Sequence, residues 1–157
     1  MMRRVFPNTS RTRTAAAALL VAGALLSRAA CAQLGGDQAS VYNDAQVFGA
    51  MVTSHPGLGY VRYDIRTERT TIHEFAGLSG QVFAVTFGGS KPNLPQLLGS
   101  YLDAYAASVT HASADHRHAS VTTSTLKAEL HGRPNALVGR IWLPTLTPAN
   151  VDLEKLQ

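Results

Sequence analysis

Cysteine, long apolar runs and recognisable catalytic spacings are what this chain has least of. One cysteine stands in 157 residues, at position 31. A lone thiol closes no disulfide within the chain and builds no thiolate metal centre. The longest apolar run, 15–26, covers 12 residues, whereas a membrane-spanning helix needs about 20. No transmembrane segment is expected in the chain that follows it. His73-Glu74 lacks the second histidine of a zinc-protease motif, because position 77 is Gly77, and the segment reads as a strand. Gly77-Leu78-Ser79-Gly80 lacks the spacing of a nucleophile elbow and reads as a hairpin turn. Gly35-Gly36-Asp37 lacks the strand before it that a phosphate loop requires. No internal repeat is present.

What is present begins with an export signal. Arg3, Arg4, Arg11 and Arg13 precede the apolar run, and Ala30-Cys31-Ala32 supplies the small-x-small pattern cut by signal peptidase. Cleavage is expected after Ala32, leaving a periplasmic or secreted domain of residues 33–157. Arg28 stands where a lipoprotein signal wants an aliphatic residue, which argues against a lipid on Cys31. Five of the fourteen bases leave with residues 1–32, and none of the ten acids does. The net charge of +4 then becomes −1, so the basic excess belongs to the leader and nucleic acid is excluded as an expected partner. The only thiol leaves as well.

Periodicity outlines the domain. Gln33 to Gly36 reads as a flexible start. Asp37 caps a helix from Gln38 to about Met51, with Val41, Ala45, Phe48 and Val52 on one face. His55-Pro56-Gly57 ends it. Val61, Tyr63 and Ile65 alternate with Arg62, Asp64 and Arg66 in a strand. A second strand follows over 71–76, with Glu74 facing solvent or paired with Arg62 or Arg66. Gln81 to Phe87 is the most apolar strand and is placed at the sheet centre. Asn93 caps a long helix whose Leu94, Leu97, Leu98, Tyr101, Leu102 and Tyr105 form an apolar stripe. Burying those six side chains would contribute on the order of 10 kcal/mol before entropy. Ala119 to Leu130 reads as one long strand with a bulge near Thr125, and Ala136 to Leu143 as the last strand. The tail, 143–157, reads as loosely held. The expected fold is α+β, an antiparallel sheet of about five strands with an N-terminal helix and one long amphipathic helix on one face.

Several segments resemble a bacterial exported family, domain of unknown function 2844. They are Ile72-His73-Glu74-Phe75, Ser79 to Val85, Pro95 to Tyr101 with Tyr105, Ala32-Gln33-Leu34-Gly35-Gly36-Asp37, and Gly139-Arg140-Ile141-Trp142-Leu143-Pro144. Family members often carry Gly-Pro after the third strand and an aspartate before the helix leucines. Gly88-Gly89-Ser90-Lys91-Pro92-Asn93 stands here instead. The resemblance implies a secreted or periplasmic protein and carries no activity, cofactor or assigned site.

Two groups of candidate residues remain. His111, Asp115, His116 and His118 offer imidazole and carboxylate donors suited to zinc, copper or nickel. In an extended segment His116 and His118 point the same way, and Arg117 between them repels a cation. Tyr101, Tyr105 and Trp142 are candidates for a ligand or partner surface. No catalytic residue and no cofactor are assigned. The expected function is a non-catalytic exported domain that binds an envelope or secreted partner protein or a small ligand. Its rivals are a small hydrolase-like enzyme whose site assembles only in the fold, and metal binding by the 111–118 loop.

Overall fold

Alternating side chains build far more sheet than helix. A computed structural model describes residues 34–90, 92–109, 118–133 and 135–156. Helix α1 (Gln38–Val47) precedes strands β1 (Met51–Pro56), β2 (Tyr60–Arg66), β3 (Thr70–Gly77) and β4 (Val82–Gly89). A helical stretch follows, made of α2 (Leu94–Leu98), a 3-10 turn (Gly99–Tyr101) and α3 (Leu102–Val109). Strands β5 (His118–Thr122), β6 (Lys127–Arg133) and β7 (Ala136–Trp142) complete one antiparallel sheet in the order β1-β2-β3-β4-β7-β6-β5. The apolar strand β4 is central, as its composition requires. The chain reaches β7 from β4 only after crossing one face with its helices and laying down β5 and β6.

This mostly-β architecture corrects the α+β expectation of about five strands and one long amphipathic helix. Two local events account for the extra strands. Helix α1 stops at Val47, with Gly49 at φ 63°, so Met51–Pro56 is freed to pair with β2 from Met51↔Arg66 to Pro56↔Val61. The expected bulge near Thr125 is instead a turn. The Thr123 hydroxyl accepts from Leu126 N–H (2.9 Å) and donates to the Leu126 carbonyl (3.0 Å), which reverses the chain and splits one strand into β5 and β6. Thr67 closes the β2–β3 turn in the same way on Thr70. The long helix is likewise interrupted. The 3-10 turn at Gly99–Tyr101 shifts its apolar stripe, so Leu97 and Leu98 are buried while Leu94, Tyr101, Leu102 and Tyr105 pack only partly against the core.

Register places Tyr63, Ile65, Ile72, Val85, Phe87 and Ile141 on one sheet face, beneath Val41, Ala45, Leu97 and Leu98. Phe87 lies across Gly139, where an added Cβ would sit 2.2 Å from its ring. The start and tail are anchored rather than loose. Leu34 is buried, and Gly35 and Gly36 bond the Val82 backbone. On the other face Leu156, Leu153 and Val151 cover Phe75, Phe83 and Trp142. Among the described residues, no helix is long and apolar enough to cross a membrane.

Candidate functional site

The face of the sheet turned away from the helices carries most of the charge. Strand pairing aligns Glu129, Arg140, Thr86, His73 and Asp64 in one cross-strand row over β6, β7, β4, β3 and β2. Period-two alternation brings them there, since each lies one step from a core residue. A hollow of about 500 Å³ opens over this row. His73, Thr86, Glu129, His131 and Arg140 line it, and Glu154 and Leu156 of the tail bound it.

Asp64 is the electrostatic centre at one end. Its carboxylate lies 2.7 Å from His73 Nδ1, 2.9 Å from Arg62 Nε and 3.3 Å from His55 Nε2. Burial alone would raise its pKa. The His73 hydrogen bond, followed by the charges of His73, Arg62 and His55, outweighs burial and holds the group below the usual carboxylate range. At the other end Arg140 Nη2 donates to Glu129 Oε2 at 2.6 Å, and Nη1 donates to the Leu153 carbonyl at 2.5 Å. The guanidinium also lies 5.2 Å from the Trp142 ring centre, a cation–π contact. Between these clusters the Thr86 hydroxyl is buried and has no hydrogen-bond partner among the described residues. Arg140 Nε shares that condition.

The expectation for Glu74 is reversed. It faces neither solvent nor Arg62 or Arg66; it is 1% exposed on the helix-covered face, opposite Tyr63 and Val85. Neither carboxyl oxygen has a hydrogen-bond partner among the described residues. Burial, then the nearby Asp44 carboxylate of α1, pushes its pKa up to about 8. Asp44 is itself buried and accepts from Gln96 Nε2 of α2 at 2.7 Å.

Of the sequence candidates, His111, Asp115 and His116 lie outside the described residues. His118 begins β5 and is exposed. Among the described residues, no group of three or more His, Cys, Asp or Glu side chains is placed to hold a metal ion. The aromatic candidates are not brought together. Tyr101 and Tyr105 pack from the helical side, where burial raises the Tyr105 hydroxyl pKa. Trp142 is 8% exposed on the opposite face, beneath the tail. Sequence reasoning missed Asp64, Thr86, Glu129, His131 and Arg140 as a group. Their alternation was visible, but the register joining five strands was not.

These features define a mostly-β domain with one helix-sealed face and one polar face bearing a hollow. The chain belongs to the family described as protein of unknown function (DUF2844), whose model matches residues 30–156. No curated protein and no solved structure matches it.

Proposed function

We propose that the protein is an exported, non-catalytic binding domain whose hollow takes a small polar ligand with an oxygen acceptor, such as a carboxylate or sugar hydroxyl. Export is supported by the basic start, the 12-residue apolar run and Ala30-Cys31-Ala32. The observation that carries the binding reading is Thr86, a residue lining the hollow beside Arg140 whose buried hydroxyl has no hydrogen-bond partner among the described residues. An unsatisfied buried hydroxyl costs about 1–3 kcal/mol, which a ligand oxygen at that point would recover.

The Asp64–His73 hydrogen bond beside Thr86 supports a second reading, a hydrolase with Thr86 as nucleophile. That chemistry needs the base bonded to the nucleophile. Thr86 Oγ1 has no such bond, so binding is preferred. The test is amide NMR of the purified protein titrated with small carboxylates and sugars. Binding predicts shifts confined to β3, β4, β6 and β7 around the hollow, lost in Thr86→Val. Shifts elsewhere, or no shift with any compound, would overturn it. Ester hydrolysis abolished by Thr86→Val would replace it with the enzyme.

A further inference from the structure

His118 and His131 face each other directly across the β5–β6 pair, with their Nδ1 atoms 2.6 Å apart. The rings meet edge to face, with centroids 4.9 Å apart and planes at 70°. Both side chains are exposed. Two neutral imidazoles reach this distance by sharing one Nδ1 proton, one ring donating and the other accepting. The arrangement therefore brings two nitrogen donors side by side on a paired, antiparallel backbone. The hairpin turn held by Thr123 and the continued pairing of β6 with β7 keep the two Cα positions fixed.

We propose that His118 and His131 form a two-histidine site for a divalent copper-type cation. With metal–nitrogen bonds of about 2.0–2.1 Å, a tetrahedral ion holds its donors about 3.3 Å apart. A square-planar ion with adjacent donors holds them about 2.9 Å apart, by the same bond length and a right angle. Either separation is reached by a small rotation of these exposed rings, and imidazole donors suit Cu²⁺, Ni²⁺ and Zn²⁺. Affinity order then places Cu²⁺ first. On binding, the ring that holds its proton on Nδ1 releases it to solvent and takes one up on Nε2. Both Nδ1 lone pairs then serve the metal, and the charge balance of the two rings is unchanged. Water fills the remaining positions. His131 also lines the rim of the hollow, but the site uses neither Thr86 nor Arg140 and does not require that the hollow bind a ligand.

The experiment is Cu²⁺ titration of the purified protein, followed by electron paramagnetic resonance and by calorimetry. One Cu²⁺ per chain is expected, with nitrogen hyperfine structure from two equatorial imidazoles. His131→Ala and His118→Ala should each weaken binding by about a hundredfold through loss of the chelating partner. The double variant His111→Ala/His116→Ala should bind as the parent does. Circular dichroism should show all three variants folded, since both paired rings are exposed. Unchanged Cu²⁺ binding in His131→Ala would overturn the site. So would loss in the double variant with retention in His131→Ala, which would place the metal on the loop alone.

Discussion

Replacing Glu74 by glutamine should favour the variant over the parent increasingly as pH rises. Its carboxyl is pushed from an ordinary 4.5 to about 8 by burial and by Asp44. Between those values the folded chain holds a proton that the unfolded chain has released. The stabilisation from that proton is complete below 4.5, declines as pH rises and is gone above about 8. The slope is about 1.4 kcal/mol per pH unit, and the full span amounts to about 5 kcal/mol. A glutamine amide is neutral throughout and escapes this decline. Its buried N–H adds a constant cost of about 1–3 kcal/mol if unpartnered, so the informative quantity is the difference between pH values. Glu74→Gln relative to the parent should gain about 4 kcal/mol more at pH 9 than at pH 5. Urea unfolding monitored by far-UV circular dichroism at pH 5, 7 and 9 measures this directly. A pH-independent difference would refute the reasoning, because Glu74 would then titrate alike in folded and unfolded chains.

Three further outcomes follow from the same structure. Thr86→Val exchanges a buried hydroxyl with no partner among the described residues for a methyl of similar shape, so thermal unfolding should show stability unchanged or raised by about 1 kcal/mol; a loss of about 1 kcal/mol or more would mean the hydroxyl is bonded. Asp64→Asn removes the ionised partner of His73, Arg62 and His55 and should cost about 1–2 kcal/mol at pH 7, the exposure of Arg62 and His55 limiting their share. Because the Asp64 pKa is depressed, that cost should persist below pH 4 and vanish only as pH falls through the lowered value, which urea unfolding across acid pH checks. Leu156→Ala should cost about 2–3 kcal/mol in urea unfolding, since Leu156 is 5% exposed against Phe75, Phe83 and Trp142; a loss under 0.5 kcal/mol would mean the tail is not part of the core.

The strands were legible where alternation was uninterrupted. The spans read as strands over Val61 to Arg66 and Gln81 to Phe87 fall, to within one or two residues, on β2 and β4, and the Asp37 and Asn93 caps bond Ser40 and Gln96 as such residues do. The errors arose where one residue type serves two structures. Thr123 has the β-propensity of the strand around it, yet its hydroxyl bonds the backbone three residues on and makes a turn. Val52 fits the apolar face of a helix at helical spacing and also fits a strand, and pairing with Ile65 decided between them. Leu156 carried no periodic signal at all, because a single apolar side chain in a tail is placed by tertiary contact alone.

The hollow was beyond sequence reading for a different reason. His73 and Glu74 are neighbours in the chain, and alternation sends them to opposite faces. His73 meets Asp64 on the polar face, whereas Glu74 is sealed beneath α1. Which of the two is buried depends on which face the helices cover, and the helices reach that face through contacts made far along the chain, such as Gln96 with Asp44. A shift of one residue in β3 would exchange the two environments and place an imidazole in the core. The register that buries Glu74 is therefore the same register that presents His73 and Thr86 to the hollow. The pH test on Glu74 thus also bears on the candidate site, because an ordinary Glu74 titration would mean that β3 does not hold these residues on the faces described.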